Sequence, residues 1–262
     1  MTANILVFDS GVGGLSVTDH LVQQLPNAHL FYLMDRAFFP YGQLADEVLQ
    51  ERVVTLCQQA TLAWHIDLIV IACNTASTLV LPSLRQRLQI PVVGVVPAVK
   101  VAAQLAQGQA IGVLATPATV QRPYLDQLIK DHAGASPVHR LGSAELVQWA
   151  EQWVYQQQAA TALPELLGPW IERCQLRHVV LGCTHFPLLT SQLQQHFPEV
   201  RWIDSGAAIA RRVSSLLPAN SQTQVDAASV TIGWAGDAPD QTALQHFLTP
   251  WQRPLAWHAI EQ

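Results

Sequence analysis

Short apolar runs alternate along this chain with longer stretches whose apolar positions recur at helical spacing. The strand-like runs cover residues 5–9, 30–35, 68–73, 92–96, 110–115, 179–183 and 201–204. Helical patterns cover 15–24, 44–64, 78–87 and 190–196. Apolar runs this short, bounded by helical patterns, predict parallel strands buried on both faces. The expected class is α/β, with ligands met at the carboxyl ends of the strands.

The pattern also repeats. Ile69-Val70-Ile71-Ala72-Cys73-Asn74-Thr75 leads through Leu81-Pro82-Ser83-Leu84 to Ile90-Pro91-Val92-Val93-Gly94. Val179-Val180-Leu181-Gly182-Cys183-Thr184-His185 leads through Leu188-Leu189 to Glu199-Val200-Arg201-Trp202-Ile203. Each copy reads as an apolar strand, a cysteine, a turn containing threonine, a helix and another strand. A second echo pairs 5–9 and its helix with 111–116 and the helix around 124–129. Two pseudo-symmetric half-domains are expected, each a mostly parallel sheet flanked by helices, with an active site at their interface. The first would comprise 1–98 plus 207–262 and the second 99–206. The stretch beyond 204 has no counterpart in the echo and is expected to return to the first half.

Composition narrows the function. With 262 residues, half of them hydrophobic and 13% charged, the chain can bury real cores. A formal charge of −5 without a basic cluster gives no electrostatic footprint for nucleic acid. The longest apolar runs, such as 66–73, fall far short of the roughly 18 residues that span a bilayer, so no membrane partner is expected. Met1-Thr2-Ala3-Asn4 passes straight into a strand-like run with no signal-peptide pattern, and a soluble cytoplasmic protein is expected. The four cysteines, 57, 73, 174 and 183, lack scaffold spacing and are expected as free thiols.

Two of these thiols stand where a buried strand gives way to a helix. There the partial positive charge of the helix start stabilises a thiolate. Any one cysteine is ordinarily a small buried hydrophobe. Two of them at equivalent places in two copies of one unit suggest a joint task. Inverting a carbon centre needs a base on one face and an acid on the other, and a thiol with an ordinary pKa of about 8.5 can serve as either. Asn74, Thr75 and Thr184 offer donors for the carboxylate of a planar intermediate, besides their usual turn and cap roles. Asp9 could help take or hold the proton of Cys73, and His185 could do so at Cys183.

Other readings exist. Gly11-x-Gly13-x-x-Ser16 with Asp35 beyond it echoes a dinucleotide fingerprint, which would make the chain a non-catalytic ligand-binding module. Against this, Ser16 replaces the third glycine, and Asp9 would repel a pyrophosphate. Cys73, Cys183 and His185 could be three metal ligands, but tight pairs of the C-x-x-C kind are missing.

The residues also match a known family. Phe8-Asp9-Ser10-Gly11-Val12-Gly13-Gly14-Leu15-Ser16-Val17, Pro40-Tyr41-Gly42, Ala72-Cys73-Asn74-Thr75-Ala76-Ser77-Thr78, Leu181-Gly182-Cys183-Thr184-His185-Phe186-Pro187-Leu188-Leu189 and Asp204-Ser205-Gly206-Ala207-Ala208 resemble the glutamate racemases over nearly the whole chain. Met34, Arg36 and Phe38, with Gly142-Ser143-Ala144-Glu145, resemble the proteobacterial branch. The resemblance implies interconversion of L- and D-glutamate without pyridoxal phosphate or metal, supplying D-glutamate for peptidoglycan. It implies that Cys73 takes the α-proton of D-glutamate with help from Asp9. Cys183 would take that of L-glutamate with help from His185 and Glu151, with Glu145 as rival. Substrate contacts would fall on Asp9, Ser10, Tyr41, Gly42, Asn74, Thr75, Thr184 and His185. A homodimer is left open, as is activation by a muramyl-peptide precursor. A sister activity on aspartate is the nearest alternative.

Overall fold

In a computed structural model of the chain, which describes residues 2–218 and 228–260, β1 (Asn4–Asp9) is buried at every position after its first. A glycine loop leads to α1 (Leu15–Gln24), then to β2 (His29–Asp35), which lies parallel to β1 with Asp9 beside Met34. A single 3-10 turn, Tyr41–Gln43, precedes α2 (Asp46–Trp64). Asp46 and Glu47 in the first turn of α2 complement its dipole. Leu49, Val53, Leu56 and Ala60 recur at helical spacing and form its buried face. β3 (Leu68–Ile71), α3 (Asn74–Arg87) and β4 (Val92–Gly94) follow.

Helix α3 starts at Asn74, four residues before the start expected from the sequence. Its polar first turn is helical because Ser77 ties it down. The Ser77 amide donates to the Cys73 carbonyl at 2.9 Å, and its hydroxyl donates to the Ile71 carbonyl at 2.8 Å. That hydroxyl also accepts from the Val95 amide at 3.0 Å, so one small side chain joins strand end, helix start and the turn after β4.

The next stretch runs α4 (Val99–Ala106), β5 (Ile111–Ala115), α5 (Pro117–Val120), α6 (Pro123–His132), β6 (Val138–Gly142) and α7 (Glu145–Gln156). It continues with α8 (Leu163–Arg173), β7 (His178–Leu181), α9 (Thr190–His196) and β8 (Arg201–Ile203). Its four strands are all parallel in the order β6-β5-β7-β8. Gly112 on β5 leaves room for a buried indole, since an added Cβ would stand 2.6 Å from Trp170 Cη2.

The remainder, α10 (Gly206–Leu216), β9 (Val230–Ala235), α11 (Gln241–Phe247) and β10 (Leu255–Ala259), returns to the first sheet. β9 pairs with the outer side of β2, and β10 with β9, completing a parallel sheet in the order β10-β9-β2-β1-β3-β4. Arg253 anchors this return by donating to the carbonyls of Val22, Leu25 and Ala28 at 2.9 Å each, around the carboxyl end of α1. Helix ends leave such carbonyls without intrahelical partners, so the guanidinium answers a real deficit.

The chain thus forms two compact units, Met1–Val95 with Gly206–Gln262, and Val96–Ser205. Their shared strand order is the internal echo in structural form: β2-β1-β3-β4 in one corresponds to β6-β5-β7-β8 in the other. β9 and β10 have no counterpart. No helix among the described residues is long and apolar enough to cross a membrane.

Candidate active site

In the first unit the chemistry collects at the carboxyl ends of β1, β2 and β3. Asp9 is fully buried, and its Oδ1 accepts from the Ser10 amide at 2.7 Å and the Gly11 amide at 3.2 Å. Amide donors of this kind favour the charged carboxylate. The Tyr32 hydroxyl, also buried, donates to the Gly11 carbonyl at 2.5 Å and holds the loop from the β2 side. Gly14 must be glycine for this packing. A Cβ there would stand 2.9 Å from both Asp9 Cβ and Tyr32 Cε2.

These bonds weigh against the dinucleotide reading. The Ser10 and Gly11 amides serve Asp9, while the Leu15 and Ser16 amides donate to the Val12 and Gly13 carbonyls. A pyrophosphate would find those donors engaged. Asp35, which would have met a ribose, is taken as well: it binds Tyr41 and Arg52.

Cys73 stands two residues past β3, immediately before the first turn of α3, and is a buried free thiol. Phe8 pairs with Ile71, and the Ala72 amide donates to the Phe8 carbonyl at 2.8 Å, so Asp9 and Cys73 occupy adjoining strand ends. The start of α3 supplies partial positive charge to a thiolate there. Asn74 Oδ1 is buried with no hydrogen-bond partner among the described residues, an acceptor waiting for a donor. Thr75 beside it is also buried.

Tyr41 enters the same apolar cluster as Cys73. Its hydroxyl donates to Asp35 Oδ2 at 2.7 Å. Arg52 closes the arrangement with Nε 2.9 Å from Oδ2 and Nη2 2.9 Å from Oδ1, a bidentate fork, and its guanidinium lies 4.7 Å from the Phe38 ring centre. Burial, and then the Asp35 carboxylate, hold the Tyr41 phenol well above its ordinary range, so it is a neutral donor.

The second unit repeats the strand-end cysteine with different company. Cys183 lies two residues past β7, buried, ahead of a 3-10 turn, Phe186–Leu189, that runs into α9. His185 Nδ1 is 3.9 Å from Cys183 Sγ, and its Nε2 is 2.8 Å from Glu151 Oε1 on α7. Burial alone would lower the His185 pKa. The hydrogen bonds and charges of Cys183 and Glu151 outweigh it and raise the imidazolium well above its ordinary 6.5. Thr184, which separates Cys183 from His185 in the sequence, is also buried. Glu145, the rival carboxylate, is exposed at the start of α7 and accepts from Ser143 Oγ at 2.8 Å instead. Among the described residues, no three or more His, Cys, Asp or Glu side chains are grouped as metal ligands would be.

Neither of the other two thiols stands at a strand end. Cys57 is sealed in α2, where burial pushes its thiol far up, and Cys174 sits half-buried at the end of α8.

Residues 5–213 match the family model described as Asp/Glu/hydantoin racemase. The chain belongs to that family. As a member of a racemase family it is an isomerase. A glutamate racemase from Shewanella loihica is 50% identical over 219 residues, covering 83% of this chain and 82% of that one. One from Vibrio vulnificus is 46% identical over 264 residues, covering 98% and 96%. The crystal structure of Escherichia coli glutamate racemase with L-glutamate and the activator UDP-MurNAc-Ala has a TM-score of 0.88 to this chain. It is 40% identical and covers 99% of this chain and 98% of the other.

Within this racemase, sequence reasoning named both strand-end cysteines and the residues flanking them. It missed Arg52 and Tyr32. Arg52 carried one usable signal: it falls in the buried stripe of α2, between Leu49 and Val53. A cation there requires a buried anionic partner.

Proposed function

We propose that this chain interconverts L- and D-glutamate without a cofactor, by proton exchange between the substrate α-carbon and two thiols. The observation that carries the reading is the matched placement of Cys73 and Cys183. Each follows the equivalent strand of its unit, β3 or β7, and each precedes a polar turn. The relatives named glutamate racemase, at up to half identity, support glutamate over aspartate.

In the direction from D-glutamate, the Cys73 thiolate takes the α-proton, and the C–H electron pair moves into the carboxylate to give an enediolate. The Cys183 thiol then delivers its proton to the other face, leaving L-glutamate, a neutral Cys73 and a Cys183 thiolate. The reverse reaction starts from that last state. Asp9 assists Cys73, while His185, oriented by Glu151, assists Cys183. Donors that need no reorganisation would stabilise the enediolate, drawn from Ser10 on the glycine loop, Asn74 and Thr75 after Cys73, and Thr184 and His185 after Cys183. The Tyr41 hydroxyl is committed to Asp35, so the contribution of Tyr41 and Gly42 to substrate comes from their main chain.

D-Glutamate made this way would feed peptidoglycan synthesis. The activator in the E. coli complex extends the proposal to a muramyl-peptide precursor, whose addition is expected to raise the rate here too. The test is incubation of purified protein with L-glutamate, D-glutamate or aspartate in heavy water without added cofactor. Loss of optical rotation together with α-deuterium in the product is expected for both glutamate enantiomers. Inversion of aspartate alone would overturn the substrate assignment.

A further inference from the structure

Asp35 is a fully buried carboxylate at the end of β2, one strand away from the buried Asp9 carboxylate at the end of β1. Cys73 follows β3, the strand on the other side of β1, by two residues. A two-thiol racemase must place a third negative charge, the Cys73 thiolate, in this shell during every cycle. Buried like charges resist one another strongly.

Arg52 is the cation that answers Asp35. Its side chain is 15% exposed, forks onto both carboxylate oxygens and is braced against Phe38. The Tyr41 hydroxyl shares Asp35 Oδ2 with Arg52 Nε. Tyr41 in turn lies within electrostatic reach of Cys73 and Cys57 and packs in one cluster with both. Among the described residues of its own unit, the titratable and charged groups brought toward Cys73 include Asp9 on β1, Tyr41 on its 3-10 turn, Cys57 on α2 and the Asp35–Arg52 pair joined to Tyr41. Tyr41 and Cys57 stay neutral, because burial opposes their ionisation.

We infer that Arg52 is a positioning residue for the reaction: by neutralising Asp35 and fixing Tyr41 through it, Arg52 lets Cys73 carry the thiolate charge. The inference rests on the reading of Cys73 as an acid–base group. Arg52 touches no reacting atom in this account, and its influence passes through Asp35 and Tyr41.

Opposite charge changes must move the Cys73 thiol in opposite directions. Full-length protein without substrate is treated with iodoacetamide at intervals from about pH 6 to about pH 10, and labelling of the Cys73 and Cys183 peptides is followed by mass spectrometry. Arg52→Gln leaves Asp35 unopposed and is expected to raise the Cys73 labelling midpoint by about one pH unit. Asp35→Asn leaves Arg52 unopposed and lowers it. The double variant Asp35→Asn/Arg52→Gln returns it close to the parent value, as does Arg52→Lys, and the Cys183 midpoint moves in none of them. Two single variants shifting the same way, neither shifting, or a double variant that stays displaced would overturn the inference. Labelling does not require turnover. Racemization surviving in Cys73→Ala would therefore defeat the functional reading while leaving the charge assignment to be judged on the midpoints.

Discussion

His185 and Glu151, thirty-four residues apart, are joined Nε2 to Oε1 at 2.8 Å, which turns the other ring nitrogen toward Cys183. Glu151→Gln keeps the shape and removes the charge, so the His185 pKa falls toward its ordinary value. Racemization is expected to slow by about tenfold or more, as when a general acid–base partner loses its orientation. Stability follows a definite sign. Because the folded-state pKa of His185 is raised, its contribution is fully present below about pH 6.5 and disappears as pH rises through that higher value. Urea titrations at several pH values should show parent and Glu151→Gln furthest apart at about pH 6, above the ordinary carboxylate range, and converging in alkali. A gap that widens as pH rises above about 6.5 would refute the assignment.

The two strand-end thiols should be unequal to the other cysteines in kinetics. Cys73→Ala and Cys183→Ala are each expected to lower kcat/KM by at least about 100-fold, the usual worth of a proton-transfer group. Cys174→Ser, half-buried at the end of α8, should stay within about twofold of the parent. Polarimetry on the purified variants reads both.

Cys57 offers a control on burial. Its thiol is fully enclosed in α2 and pushed far above its ordinary range by that burial alone. Native protein exposed to iodoacetamide at about pH 9 should therefore label Cys174 and spare Cys57. Unfolding in urea should make both react alike. Rapid native labelling of Cys57 would show that the α2 face is not closed.

Gly14 tests the glycine loop. Gly14→Ala puts a Cβ 2.9 Å from Asp9 Cβ and Tyr32 Cε2, in a site where β1 and β2 cannot give way. A loss of about 1–3 kcal/mol in denaturant titrations is expected, typical of overpacking. The folded fraction should also turn over slowly, since Asp9 is the group displaced. Gly134→Ala, with nothing within 4 Å of the added atom but a φ of +60°, separates backbone strain from crowding.

Burial explains part of how far the sequence foretold this arrangement, but not β9, an inner strand whose run is broken by Thr231 and Gly233 and is not predicted. β1, β3, β5 and β7 are continuous apolar runs because they lie inside their sheets, and that signal survives without any partner in view. β6, Val138-His139-Arg140-Leu141-Gly142, is an edge strand with a half-exposed pattern and no such signal. β10 is another edge, with Ala256, His258 and Ala259 exposed. The cysteines were legible because their neighbours repeat. The choice of Glu151 over Glu145 was not, since both lie on one helix and only the position of His185 separates them. Nor could spacing reveal that the Tyr41 hydroxyl turns back to Asp35, for a loop intervenes and tertiary packing decides it.

The first unit is assembled from two distant stretches of chain, with β9 laid along the open side of β2. A ribosome releases β2 long before β9 exists. During that interval the nascent sheet carries an unpaired apolar edge, the kind of surface that invites wrong partners. Residues 96–205, by contrast, are continuous and can complete their own sheet as soon as they emerge. The unit of residues 96–205 would then fold while the first unit still waits for β9 and β10. Arg253, made after β9, would then fasten the end of α1.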